Sequence, residues 1–231
     1  MDNFSLTALI SIPEEAGYFF PDRHFQRISR GFLYSVMIDK LEGISRIGKI
    51  VINTDSDRIR SSYSRSDKVK VINVYKAEPQ EIELELTSDR ATAAILEHVE
   101  GEHFLQLGPI FPFLKQETIG NVIETYDKYV VNPEDRANDS VFTIKTLNRR
   151  YYDSDKDFIR EDRPNTFVED GILHVFNRKT FLAGGNRKVG KNPFSYGIDD
   201  IENLAIDSEE NYQLAVLVDE NRRRFPRVFG R

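Results

Sequence analysis

Along the chain, short apolar runs alternate with segments whose apolar residues recur every three or four positions. The first pattern predicts buried strands and the second predicts helices with one inward face. Leu6 to Ile12 reads as a strand. Phe32 to Leu41 reads as a helix, with Leu33, Val36, Met37 and Leu41 on one side. Arg46 to Asn53, "RIGKIVIN", is a strand that runs out at Thr54 and Asp55, and Lys68 to Tyr75, "KVKVINVY", is another. Ser88 is placed to cap a helix that buries Ala91, Ala94, Ile95 and Val99 and ends at Gly101. His103 to Leu107 is a central strand, and Glu117 to Val130 is an amphipathic helix on Ile119, Val122, Ile123 and Tyr126. Ser140 to Thr146 and Gly171 to Phe176 are later strands, the second followed by a short helix through Phe181. Leu204 to Asp207 reads as a short strand. Ser208 then caps a last helix, with Glu209 and Glu210 in its first turn and Leu214, Ala215, Leu217 and Val218 on its buried side.

Strands separated by helices of this length predict βαβ units and a mostly parallel α/β sheet. Residues 147–170, "LNRRYYDSDKDFIREDRPNTFVED", break the rhythm and read as an arm or excursion from the sheet. Residues 1–220 therefore form one domain, and residues 221–231 a basic tail. Ligands of such sheets bind beyond the carboxyl ends of the strands. That rule points to five places: the turn after Ile12, Thr54 with Asp55, the segment after Gln106, the basic glycine-containing loop 184–193, and Asp207.

Composition narrows the classes. Of 231 residues, 39% are hydrophobic, enough for a core. The absence of cysteine excludes disulfides and zinc-thiolate sites. A net charge of −6 argues against a general nucleic-acid surface. The tail, "NRRRFPRVFGR", carries five arginines and reads as a solvated segment, with an anionic partner as the sharper alternative. No apolar run approaches the roughly 20 residues of a membrane span. The first residues, "MDNFS", show no signal peptide, so a cytoplasmic location is expected. The four histidines show no helical metal-pair spacing, and His174 reads as structural.

Six stretches occur in a recognisable order: "IVINTDSDRI", "EGEHFLQ", "SVFTIKTLNRRYYD", "EDGILHVFNRKTFL", "RKVGKNP" and "AIDSEENYQLA". Together they resemble the cytidylyltransferases that make CMP-activated acidic sugars, and within them the acylneuraminate (sialic-acid-type) branch. The resemblance runs from about Ala8 to about Val218 and rests on the series rather than on one motif. It implies a nucleotide-diphospho-sugar transferase fold, a Rossmann-like three-layer sandwich, and a homodimer held partly by the 147–170 excursion. It also implies a Mg²⁺-dependent reaction of CTP with an acidic sugar that releases pyrophosphate. On matching positions it assigns catalytic roles to Arg23 and Asp207, nucleotide contacts to Gln106 and Asp55, sugar contacts to Arg150, Lys188 and Lys191, and the metal to Asp207.

The same matching exposes departures. The family's first loop carries a cation, whereas here Pro13 leads into Glu14, Glu15, Ala16 and Gly17. Two carboxylates there repel a triphosphate by several kcal/mol. An arginine-proline pair becomes Ala77, Glu78 and Pro79, followed by "QEIELEL", whose alternation reads as a solvated strand. The segment after Gln106, "LGPIFPFL", is apolar and reads as a packed core edge. The paired metal aspartates become Ala205 and Asp207. The motifs are those of a divergent member with a degenerate site. Two functions compete: a homologue with reduced or lost CMP transfer that pairs with an active relative in surface-glycan synthesis, or an active nucleotidyltransferase of altered specificity.

Overall fold

The structure is a computed structural model; it describes residues 4–15, 20, 22–28, 31–74, 87–134, 137–146, 151–153, 156–160, 167–222 and 224. Along the chain the elements are β1 (Leu6–Ser11), a 3₁₀ turn (Arg23–Phe25), β2 (Arg27–Ile28), β3 (Gly31–Phe32), α1 (Leu33–Glu42), β4 (Ile47–Asn53), α2 (Asp57–Ser62) and β5 (Val69–Ile72). They continue with α3 (Asp89–Leu96), β6 (His103–Leu107), α4 (Gln116–Tyr126), β7 (Ser140–Thr146), β8 (Tyr151–Asp153), β9 (Lys156–Arg160) and β10 (Phe167–Asn177). The chain closes with α5 (Arg178–Ala183), β11 (Phe194–Gly197) and α6 (Glu209–Arg222).

Seven strands form one sheet in the order β11-β7-β10-β6-β1-β4-β5. β10 runs antiparallel to both β6 and β7, and every other pair is parallel. Period-two alternation sends successive side chains to opposite faces. On one face Leu9, Val51, Phe104 and Phe176 pack against Ile95 and Leu96 from α3, Val99 just beyond it and Phe181 from α5. On the other, Ile10, Ile50, Leu105 and Val175 share a core with Met37 and Ile38 of α1 and Ile119, Val122 and Ile123 of α4. The result is helix, sheet, helix, and each such fully buried side chain contributes about 1.5–3 kcal/mol.

The helix starts follow local chemistry. Ser88 Oγ accepts from the Ala91 amide (3.2 Å), Ser56 Oγ from Ile59 (3.3 Å) and Asn177 Oδ1 from Thr180 (2.7 Å). The Ser208 cap is present too, through the Asn211 amide (3.2 Å).

Several expectations are corrected. Leu204 to Asp207 is not a strand; the Ile206 N–H donates to the Ile110 carbonyl, in the turn after β6 (2.9 Å). The helix expected to run to Val130 is α-helical to Tyr126 and continues as a π turn through Val131. Leu214 and Leu217 are exposed rather than buried, because α6 docks through a different stripe. The Tyr212 ring lies tilted against Phe20 and its hydroxyl donates to the Arg27 carbonyl, Ala215 is buried, and the Arg222 guanidinium covers Phe113. The excursion is shorter than expected, since Phe167 already pairs with Thr146 in the main sheet. Within it, β8 and β9 form a separate two-stranded sheet. Residues 147–150 and 161–166, the 75–86 segment with "QEIELEL", Ala16 and Gly17, and the tail from 225 onward lie outside the described residues.

Candidate functional site

The chain reverses its direction of growth across the sheet at β1: β4 and β5 lie on one side of it, β6 on the other. A crevice at the carboxyl ends of β1 and β6 is where this topology places a ligand. On the face covered by α3, the apolar strand positions Leu9, Val51, Phe104 and Phe176 give way, two residues further toward that end, to Ser11, Asn53, Gln106 and His174. All four are buried. A staggered polar row therefore crosses four neighbouring strands: Ser11 pairs with Asn53, and Gln106, level with Leu9, pairs with His174.

Within the row, Asn53 Oδ1 accepts from the Val74 amide (3.0 Å). Thr92 Oγ lies 2.7 Å from Gln106 Oε1 and 2.8 Å from the Ser88 carbonyl. A hydroxyl has one proton to give, so Gln106 is best satisfied with its amide nitrogen turned toward Thr92. Either way round, the other end of the amide is buried without a partner, as is Ser11 Oγ. His174 Nε2 lies 2.6 Å from Glu169 Oε1. Burial holds the His174 pKa below its ordinary value despite the carboxylate, and the hydrogen bond to His174 lowers that of Glu169. Next to this pair, Asp170 accepts from Thr143 (2.5 Å), the Ile172 amide (2.9 Å) and Asn203 (3.1 Å); burial raises its pKa.

The turn after β1 is closed on its neighbour. The Glu14 amide donates to Asp55 Oδ1 at 2.8 Å. Glu14 Oε2 is buried without a partner among the described residues, and Glu15 is exposed. Two carboxylates and an engaged amide thus stand where a phosphate needs free N–H groups and positive charge.

The expected site residues fall in different settings. Arg23 is buried at the 3₁₀ turn, beside a His24 that is fully buried with neither ring nitrogen partnered. Asp55 is exposed and bound to the Glu14 amide, and Gln106 stands in the buried row. Lys191 is exposed, whereas Lys188, matched to a sugar contact by the resemblance, is buried and donates to the Thr87 carbonyl. Arg150 lies outside the described residues. Asp207 is exposed and accepts from the Asn211 side chain (2.7 Å). The segment after Gln106 is packed as expected: Ile110, Phe111, Phe113 and Leu114 are all buried, and the Lys40 ammonium pins it through the Pro112 (2.6 Å) and Leu114 (2.7 Å) carbonyls.

Among the described residues, no three His, Asp, Glu or Cys side chains converge on a metal position. A lone exposed Asp207 fits a magnesium ion only together with phosphate oxygens and water, as Mg²⁺ commonly binds beside nucleotides. Ser11, Thr92 and Glu169 went unassigned from sequence, and His174 was read as structural. For Ser11 and His174 the signal was a polar residue closing an otherwise apolar strand face; Thr92, on α3, and Glu169, at the β10 bulge, carried none.

No family profile matches the sequence, and no curated protein does. Solved structures do match over nearly the whole chain. A 4-diphosphocytidyl-2C-methyl-D-erythritol synthase from Anaerococcus prevotii DSM 20548 superposes with a TM-score of 0.67 at 15% identity, covering 94% of this chain and 96% of that one. A CMP:2-keto-3-deoxy-manno-octonic acid synthetase complexed with CTP gives 0.63 at 9% identity, over 94% and 99%. A further 4-diphosphocytidyl-2C-methyl-D-erythritol synthase gives 0.65 at 14% identity, over 94% and 100%. At these identities the likeness defines the fold. It is the nucleotide-diphospho-sugar transferase fold, an α/β three-layer sandwich on a mostly parallel sheet.

Proposed function

We propose that this chain is a cytidylyltransferase-like protein of surface-glycan or nonulosonic-acid metabolism whose CMP transfer is reduced or lost. The observation that carries this reading is the bond from the Glu14 amide to Asp55, with the Glu14 carboxylate beside it. Phosphoryl transfer depends on positioning and on neutralising the triphosphate. A turn whose amide is engaged by a carboxylate, and whose own side chain is another, supplies neither. Loss of such electrostatic stabilisation costs about two to three orders of magnitude per missing donor. The solved structures with this fold include proteins named for making cytidine-diphosphate and CMP conjugates. That supports a cytidine nucleotide as the ligand class, and the resemblance described above supports the acylneuraminate branch. In this reading the chain works as a homodimer or beside an active relative, with Asp207 meeting Mg²⁺ only when a nucleotide brings it.

A second reading has its own observation. Ser11 Oγ and one end of the Gln106 amide are buried without partners at the switch point between β1 and β6. Such groups cost about 1–3 kcal/mol each unless a ligand or water meets them. They favour an active, divergent nucleotidyltransferase that joins CTP to an acidic sugar. In that case Arg23, Asp55, Gln106, Lys191 and Asp207 serve the reaction.

Thermal melting with cytidine, CMP and CTP, each with Mg²⁺, separates the two. A ligand at 100 times its Kd adds about 2.7 kcal/mol of stability. The first reading expects CTP to stabilise no more than cytidine, because the triphosphate gains nothing. A CTP shift far above those of CMP and cytidine favours the second.

A further inference from the structure

Three large apolar side chains are exposed among the described residues: Leu182, Leu214 and Leu217. Single exposed leucines are ordinary. Leu214 and Leu217, however, stand one turn apart on α6, 47% and 57% exposed, and so form a patch. The helix docks through its opposite side, where Ala215 is buried and Tyr212, Val216 and Val218 pack against the main core.

The two leucines belong to a longer stripe. Glu210, Leu214, Leu217 and Asn221 follow one another at steps of four, three and four, the spacing of the seam between two paired helices. The stripe is complementary to itself. A two-fold axis midway between Leu214 and Leu217 sets Leu214 against the partner's Leu217, and Glu210 against the partner's Asn221. The Asn221 amide donates one N–H to the Leu217 carbonyl (2.8 Å) and has a second to give to a carboxylate.

Charge sets the direction. α6 starts with Glu209 and Glu210 and ends with Arg222, with Arg224 exposed just beyond. Antiparallel pairing lays each acidic start beside the partner's basic end and opposes the two helix dipoles. Parallel pairing brings like charges together. Glu210 and Glu220, both exposed, repel an anionic lipid surface from this side.

We propose that the exposed side of α6 is a two-fold interface on which α6 of a second copy packs antiparallel. It does not involve the 147–170 excursion, and it needs neither cytosine nor CMP transfer. Fourteen residues make a helix about 21 Å long, and two leucines per chain are a small core. Interfaces that bury less than about 1,200 Å² belong to weak or transient pairs, so this pairing depends on concentration.

Sedimentation velocity on the full chain from about 1 μM to about 1 mM brackets association of this strength. A reversible monomer–dimer equilibrium is expected. Leu214→Glu and Leu217→Glu should each raise its Kd by at least about tenfold. The chain has no cysteine, so introduced thiols report contacts without background. Mixing Leu214→Cys with a mass-tagged Leu217→Cys chain under mild oxidation should yield the mixed disulfide ahead of either like-with-like product. Leu182→Cys, exposed but off α6, controls for random collision. A chain that stays monomeric overturns the proposal, as does a dimer whose Kd neither glutamate variant changes. A preference for like-with-like disulfides, or an equal yield from Leu182→Cys, overturns it too. So does a monomeric wild type that dimerises once residues 225–231 are removed, which assigns the face to this chain's own tail. The cross-linking arm decides where a glutamate variant fails to fold. Failure here leaves the cytidine reading untouched, since no nucleotide is present.

Discussion

His24 is fully buried, and neither of its ring nitrogens has a partner. Burial, with the Arg23 guanidinium beside it, lowers its pKa from 6.5 to about 3. The unfolded chain therefore binds this proton from about pH 6.5 downward, while the folded chain refuses it until about pH 3. Stability contributed by neutral His24 is complete above pH 6.5 and falls as the solution is acidified. The slope is about 1.4 kcal/mol per pH unit for one group. His174 and His103 are lowered by burial too and act in the same direction. Urea unfolding between pH 7 and pH 4 is expected to show a falling midpoint, and His24→Leu to show a shallower fall. An unchanged slope in that variant contradicts the assignment. Nothing in "FPDRHF" announced a buried histidine, because a lone polar residue in a turn ordinarily faces water. Lys188 was matched to a sugar contact in a basic glycine-containing loop, and its burial against the Thr87 carbonyl was equally invisible in sequence.

At the scale of elements, a single carboxylate organises the start of α4. Glu202 is buried and accepts from the Lys115 amide (2.9 Å), the Lys115 ammonium (2.9 Å) and the Thr118 hydroxyl (3.0 Å). The hydrogen bond to Glu202 is the main cause raising the Lys115 pKa. The arrangement combines an N-terminal cap with charge-assisted hydrogen bonds. Glu202→Ala is expected to cost about 2–3 kcal/mol in equilibrium denaturation, with α4 losing amide protection first; a cost near zero contradicts that role. The cap is invisible in sequence because its carboxylate lies more than eighty residues from the helix it serves. Elements made by local pattern were legible: β6 and β7 have the expected bounds, and the Ser88 cap is present. Elements without a strong pattern were not. α2 is six mostly polar residues that bury only Ile59, and β11 is a half-exposed edge strand. The apolar stretch from Leu204 to Ile206 looked like a strand, but β11 already occupies the sheet edge beside β7.

At the scale of the molecule, the alternation of strand and helix was enough to anticipate the three layers and the mostly parallel sheet. It could not show that β10 runs antiparallel between β6 and β7, since direction depends on how the chain returns from the excursion. The site was legible as a set of strand ends but not as a set of contacts. Glu14 and Asp55, forty-one residues apart, were each noted, yet only the fold reveals that one amide is spent on the other's carboxylate. No helix among the described residues is long and apolar enough to cross a membrane. The central claim is that this scaffold keeps the shape of a nucleotide site and lacks the charges that transfer needs. It is tested most directly by measuring pyrophosphate release from CTP and a nonulosonic acid in the presence of Mg²⁺. The account predicts release no greater than in a protein-free control, for the wild type and equally for Ala205→Asp, because a second carboxylate at the metal position leaves the Glu14 turn unchanged. Sustained, acceptor-dependent release by the wild type would contradict it.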